Sequence, residues 1–452
     1  MKTYGSVTFK NDAWEIKAEP HVLIRLKNLF PRIQQRDIGA VTIANAEDVC
    51  RDLEWFLKRY DLSIEPVVKR ILKRGSARYR ERIYRLEELT GGRAQPRVFQ
   101  MALPPRDYQK LGAELWLQRK RILIADDVGL GKTCTSIAGM TELTARPAVV
   151  VTLAGSMPKQ WADEIKRFLP EARVHVLKKG TPYPLPQENG KGPDIVVTSY
   201  SKIHGWMDVL AKFGRAVIFD ECQELRGGNS AKYDAAKAIA DKAAYCLGLS
   251  ATPIYNYGGE IWNVMNVLTP HMLGTKEEFH REWCTGIGNN KYTVNDPKAL
   301  GTYMRETFAM IRRTRKEVGR ELPPLQTITQ DVDTDKKPLH DIRGAAAELA
   351  KIILSDRELK KGDRMRAAEE FSWKLRHATG VAKAPHVADF VRLLLENDEK
   401  VLLYGWHRSV YDIWKDRLKD YNPAFFTGEE SVPQKIESRR RFMAGETNLC
   451  IM

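Results

Sequence analysis

Between residues 121 and 249, short apolar runs alternate with longer segments whose apolar positions recur at helical spacing. The runs 122–125, 148–152, 173–177, 194–198, 216–220 and 245–249 read as strands buried on both faces. Joined by amphipathic stretches of helical length, they predict a parallel sheet with helices on both sides. Upstream, 6–10 and 13–17 flank a turn at Asn11-Asp12 and predict a β-hairpin. A helix is expected over 45–59, with Val49, Leu53, Phe56 and Leu57 on one face. Beyond Pro323-Pro324, helical periodicity over 335–360, 364–377 and 385–397 leads to a buried run at 400–404. A helix (409–420), a short strand (424–426), a helix (433–444) and a last apolar run at 449–452 follow. The expected division is an α+β N-terminal region (1–100), an α/β lobe (101–269), a helical linker or insertion (270–322) and a second α/β lobe (323–452). The last lobe stops in mid-strand, so a longer natural chain is expected.

A length of 452 residues suits two or three domains. No apolar run approaches a membrane span, and the first residues carry no apolar signal core. The expected location is therefore the cytoplasm, or the nucleus in a eukaryote, and not the exterior. Six scattered cysteines without a C-x-x-C pair argue against a zinc module or a disulfide framework. A formal net charge of +15 favours polyanionic partners, nucleic acid first. The densest basic stretch follows Pro66 and includes Lys69, Arg70, Lys73, Arg74 and Arg78, with Tyr79 and Tyr84 interleaved. Lys73 and Arg74 are candidates to lie along a phosphate backbone; a solvated helix face fits the same charges.

The candidate chemistry begins at 126–133, Asp-Asp-Val-Gly-Leu-Gly-Lys-Thr, between an apolar strand and a helix. Free backbone N–H groups and the helix dipole make such a turn a phosphate cradle. Gly129 and Gly131 admit close backbone approach, Lys132 can reach the β- and γ-phosphates, and the Thr133 hydroxyl can ligate Mg²⁺. The general pattern G-x-x-x-x-G-K-[ST] would place glycine at 126, where this chain has Asp126. At the end of run 216–220, Asp220 can hold the Mg²⁺ shell and Glu221 can orient or deprotonate the attacking water. The Ser250-Ala251-Thr252-Pro253 segment ends the next run. Its hydroxyls can bridge the carboxylates to the far side of the site.

This ordered set resembles the Swi/Snf-like branch of superfamily 2 helicase-like ATPases, nearest the annealing-helicase type. The residues that carry the resemblance are 103–109, Asp126 to Thr133, Asp220-Glu221-Cys222-Gln223, 250–253, 311–318 with 322–324, and 401–428 through Arg439-Arg440-Arg441. Asp126 is then a feature of the branch, which reads D-x-x-G-L-G-K-T. The resemblance implies two RecA-like lobes, the second incomplete here, with ATP and Mg²⁺ as cofactors and duplex or forked DNA as partner. It implies a nucleotide site of Arg106, Gln109 (reading adenine), Asp127, Gly129, Leu130, Gly131, Lys132 and Thr133. Lys132, Asp220 and Glu221 would be catalytic, and Gln223, Ser250 and Thr252 would couple the lobes. Thr152, Gln160, Trp161, Thr198 and Ser199 would touch nucleic-acid phosphates; ordinary strand ends and helix caps fit them too. Gln223 stands where the branch usually has histidine, so it cannot titrate. The branch's arginine finger lies beyond residue 452, and Arg439 to Arg441 fit a solvated helix instead. The expected function is an ATP-dependent DNA translocase in repair, recombination or fork remodelling. An RNA-directed ATPase and a catalytically silent DNA clamp are the alternatives.

Overall fold

A computed structural model describes residues 3–30, 39–254, 258–286, 291–320, 326–354 and 363–452. The chain forms two compact units, Met1–Leu322 and Pro323–Met452.

The first unit opens with β1 (Gly5–Lys10) and β2 (Ala13–Ala18), antiparallel across Asn11 and Asp12. Both turn residues adopt positive φ, the geometry of a two-residue turn that matches strand twist. Then come α1 (Pro20–Leu29), β3 (Ala40–Ala44), α2 (Glu47–Leu57), β4 (Ser63–Ile64) and α3 (Pro66–Thr90). The sheet order is β3-β2-β1-β4, and its core holds Trp14, Ile16, Leu26, Leu53, Phe56 and Leu72. Five residues with only Val41 and Ile43 facing inward are too short a pattern to announce β3.

The main sheet follows α4 (Asp107–Arg119). Its strands and helices are β5 (Arg121–Ile124), α5 (Lys132–Gly139), β6 (Ala148–Thr152), α6 (Met157–Phe168), β7 (Val174–Val176) and β8 (Ile195–Ser199). They continue with α7 (Ile203–Phe213), β9 (Ala216–Asp220), α8 (Ala231–Lys242) and β10 (Tyr245–Leu249). Next are α9 (Ile261–Leu268), α10 (Lys276–Trp283), the hairpin β11 (Cys284–Gly286) and β12 (Tyr292–Val294), α11 (Pro297–Glu306) and β13 (Met310–Ile311). Seven parallel strands run in the order β13-β5-β10-β9-β6-β8-β7. Alternate strand residues supply two separate cores: Val149, Val151 and Phe219 on one side, Val150, Ile218 and Leu247 on the other. The expected α/β class with helices on both faces is what this unit adopts.

Two expected boundaries need correction. Leu86 and Leu89 of α3, with Phe99, lie in the same core as Trp116 and Ile124, so packing crosses residue 100. Segment 270–322 is no linker: Phe279, Leu300 and Met304 fill the opposite core, and β13 adds the edge strand beside β5. Its charged helices hid this role because only one stripe of each faces inward.

In the second unit, α12 (Lys337–Asp341), α13 (Arg343–Leu354) and α14 (Asp363–Glu396) precede β14 (Val401–Leu403), α15 (Arg408–Arg417), β15 (Ala424–Phe425), α16 (Val432–Met443) and β16 (Leu449–Ile451). The three strands are parallel in the order β14-β16-β15. The helices expected over 364–377 and 385–397 are one helix passing through Pro385. Proline withholds a backbone donor there, and nearby carbonyls accept from outside the helix. Trp414 Nε1 donates to Ala384 O (3.1 Å) and Asp335 N to Ala382 O (3.0 Å). Part of the helix expected over 335–360 lies outside the described residues. No described helix is long and apolar enough to cross a membrane.

Candidate active site

The phosphate-loop candidate leaves the C-terminal end of β5 and enters α5 at Lys132. Gly129 and Gly131 take φ of 85° and 71°, where a side chain is disfavoured. A Cβ on Gly131 would also fall 2.5 Å from Gln109 Nε2. Lys132 Nζ donates to Asp126 O (2.8 Å) and Asp127 O (3.4 Å), folding the ammonium into the loop. Burial pulls that ammonium below its ordinary pKa, while the carboxylates of Asp126, Glu221, Asp220 and Asp127 pull the other way. The order β5-β10-β9 of parallel strands brings the loop after β5, with Lys132, and the acidic pair after β9 to the same C-terminal edge of the sheet.

Gln109 is buried in α4 and bonded at both ends. Its Oε1 accepts from Arg106 N (2.9 Å) and its Nε2 donates to Leu130 O (3.0 Å), which also accepts from Tyr108 OH (3.0 Å). In this state it braces the loop, and its second N–H and second oxygen lone pair remain to be used.

Asp126 does not face a phosphate. Its side chain is 1 % exposed and paired with Arg313, whose backbone N and Nε each lie 3.0 Å from Oδ1. Arg313 also donates to Tyr108 O. Beyond β13 the chain continues along the loop: Asp127 N donates to Arg313 O (3.0 Å), Arg315 N to Asp127 Oδ2 (3.2 Å) and Arg315 Nε to Val128 O (2.8 Å). Segment 311–315, noted in the sequence only as part of the family resemblance, is therefore a strap on the cradle. A carboxylate fixed at the end of a buried strand demands a cation, and that demand was the available signal.

At the end of β9, Asp220 Oδ2 accepts from Thr152 Oγ1 and Trp161 Nε1, both at 2.8 Å, and Tyr200 OH donates to Asp220 O (2.9 Å). Burial pushes the Asp220 carboxyl above its ordinary pKa; the Trp161 and Thr152 bonds oppose this, and Glu221 adds to it. Glu221 takes φ of 51°, a left-handed conformation costly for a side chain and typical of sites that aim one. Gln223 Nε2 donates to Glu221 Oε2 (2.6 Å), and Gln223 Oε1 is buried with no hydrogen-bond partner. Ser250 is buried, its Oγ accepting from Thr252 N (3.1 Å), while Thr252 is exposed. Thr133 is half-buried at the start of α5.

A carboxyl with a raised folded pKa costs stability once pH rises through the ordinary carboxylate range, because the folded state resists ionisation. Asp220→Asn keeps an oxygen for Thr152 and Trp161 and removes the buried charge. It is expected to stabilise the first unit by roughly 0.5–2 kcal/mol at pH 7. The gain should shrink as pH falls through the carboxylate range. Thermal unfolding at pH 7 and pH 4 reads this, and a less stable variant at pH 7 refutes it.

The residues present suit a magnesium–nucleotide. Thr133 and Asp220 offer the hard oxygen donors that Mg²⁺ prefers, with phosphates and water completing its shell. The positive-φ glycines and the unpartnered Gln223 oxygen leave room and an acceptor for a bound group.

Residues 51–343 match the SNF2-related domain family. The chain belongs to that family. Among curated SNF2-type relatives, an uncharacterized ATP-dependent helicase of Mycoplasma genitalium is 24% identical over 376 residues, 77% of this chain and 34% of the relative. The mouse DNA annealing helicase and endonuclease ZRANB3 is 23% identical over 348 residues, 72% of this chain and 31% of the relative. The chain thus spans about a third of the length of these relatives. A solved Sulfolobus solfataricus SWI2/SNF2 ATPase core in complex with dsDNA aligns with 79% of each chain, at 20% identity and a TM-score of 0.43.

The remaining candidate residues separate by exposure. Thr152 and Trp161 are buried against Asp220. Thr198 is also buried and its Oγ1 has no partner; Ser199 Oγ bonds Ser201 Oγ at 2.9 Å. Gln160 is half-buried on α6. Lys73 and Arg74 are exposed on α3. Further along α3, Arg82 is paired to Glu47 and Arg80 bonds Glu54 at 3.0 Å, so these two arginines hold α2. Arg440 is engaged by Glu437 (2.6 Å) and Glu446 (2.5 Å), and Arg441 donates to Asn422 O (3.0 Å).

Proposed function

We propose that this SNF2-related chain binds Mg²⁺–ATP in the cradle and couples its hydrolysis to translocation on duplex DNA, with a preference for forked or branched substrates. The observation that carries the reading is the meeting of Lys132, Asp220 and Glu221 at the C-terminal edge of one parallel sheet, beside a braced glycine loop. The relatives' names, ATP-dependent helicase and DNA annealing helicase, support the substrate class.

In this reading the Lys132 ammonium leaves the Asp126 and Asp127 carbonyls for the β- and γ-phosphate oxygens. Thr133 and Asp220 would hold Mg²⁺, which when bound screens the phosphate charge. Thr152 and Trp161 keep the Asp220 carboxylate aimed. Glu221 positions the attacking water, and Gln223 holds Glu221 from the side. Exposed Lys73 and Arg74 would meet the DNA backbone. A cytoplasmic or nuclear location follows from such a substrate.

ATP turnover measured with duplex, forked and single-stranded DNA and with RNA tests the proposal. Stimulation by duplex and more strongly by forked DNA is expected. Stimulation by RNA alone overturns the DNA reading, and tight DNA binding without turnover assigns the chain as a silent clamp.

A further inference from the structure

The second unit carries a groove, walled in part by the 401–428 stretch, to which no role has been given above. It lies between α14 and the turn after β14, encloses about 700 Å³, and includes Trp373, Arg376, Lys383, Tyr404, Trp406 and His407 in its walls. Its aromatic side chains are unusually open: Trp406 is 87% exposed, Tyr404 65% and Trp373 55%. Indole surface left in water at this density marks a contact surface.

The exposure of Trp406 is built in. Gly405 N donates to Met452 O (3.1 Å), and Tyr411 OH donates to Gly405 O (2.6 Å). A Cβ on Gly405 would fall 2.8 Å from Trp414 Cζ3 and from Tyr411 Cε1, so only glycine lets the turn press onto α15. Pinned on that side, the turn holds Trp406 outward. Opposite it, Trp373 is fixed by stacking on His377 (5.4 Å, 12°) and by the edge of His407 (5.9 Å, 86°). His377 Nε2 is in turn held by Ser409 Oγ (2.8 Å).

The charges around these rings are mainly positive. Arg376 donates to Ser372 Oγ (3.1 and 2.7 Å), and neither it nor Lys383 makes an ion pair among the described residues. Arg408, next to the turn, lies 3.9 Å from its nearest carboxylate, on Glu429. Glu369 is the acidic residue in the lining. Flat, rigid aromatic faces beside unpaired cations suit a planar base carrying a phosphate. An aliphatic peptide face would leave the cations uncompensated.

We propose that this groove binds an unpaired nucleobase from a single-stranded segment, with Trp406 and Trp373 as the stacking faces and Arg376 and Lys383 on the flanking phosphates. The proposal rests on the nucleic-acid reading above and adds to it a site for unpaired strand. Bases inside a duplex are already stacked, so the site distinguishes single-stranded from duplex DNA.

The test uses the full chain with a fluorescent oligothymidylate and a blunt duplex. Trp406→Ala is expected to weaken oligothymidylate binding about tenfold, the scale of one lost stacking partner. Duplex affinity should change less than about twofold under the same scale of argument. Trp406→Phe should restore most of the affinity and reduce, without abolishing, the quench of tryptophan emission that oligothymidylate causes in the wild type, since Trp373 remains in the groove. Unchanged single-strand binding in Trp406→Ala overturns the proposal, as does an equal loss on both DNAs. Wild-type emission indifferent to oligothymidylate also overturns it and points to a protein segment as the occupant. Wild-type protein that binds no nucleic acid overturns the wider reading, whereas intact duplex binding with a silent groove overturns this inference alone.

Discussion

Arg313→Ala is expected to destabilise the first unit by about 3–5 kcal/mol, the cost of leaving a buried carboxylate without its partner. Asp126 is 1 % exposed and Arg313 15 %, so little water reaches the pair to compensate. The loss should show in urea unfolding as a lower midpoint with an unchanged slope. Arg313→Lys restores the charge but not the fork that spans both carboxylate oxygens and Tyr108 O, so it should recover only part of the loss. Nucleotide affinity should fall alongside stability, because the same guanidinium fixes the strand end from which the cradle starts. A variant as stable as the wild type would show that the strap does not hold the loop.

Lys132→Ala is expected to lower ATP turnover by roughly 10²–10³-fold, the scale of losing one preorganised donor to transition-state charge. Its ammonium is folded onto two loop carbonyls, and burial already disfavours its charge there, so transfer to phosphate oxygens is favourable. Stability should change little, since the lost bonds are local to the loop. Glu221→Gln separates binding from chemistry: it should bind ATP with near wild-type affinity and turn it over at least about 100-fold more slowly. Equilibrium binding of a fluorescent ATP analogue, set beside steady-state turnover, distinguishes the two variants. Full turnover by Lys132→Ala would remove the cradle from the reaction.

The fold's central sheet was legible because its strands are buried on both faces, which leaves unbroken apolar runs such as 148–152 and 216–220. Segment 270–322 was not, since each of its helices turns only one stripe inward and β13 has just two residues. The candidate site was legible where its chemistry is local. A glycine pair before Lys-Thr and an acidic pair after a strand each announce a role within a few residues. Partnership across the chain was not: Thr152 and Trp161 read as strand-contacting positions, and the structure turns both toward Asp220.

The sequence by itself determined the family and the parallel α/β class and singled out Lys132, Thr133, Asp220 and Glu221 as candidates, because periodicity and short motifs are properties of neighbouring residues. Only the tertiary structure decided what Asp126, Gln109 and the 311–315 strap do. Their partners lie 187 positions away in the case of Asp126 and 21 in the case of Gln109. Buried charges and amides find partners wherever the fold brings them, and no local pattern encodes that distance.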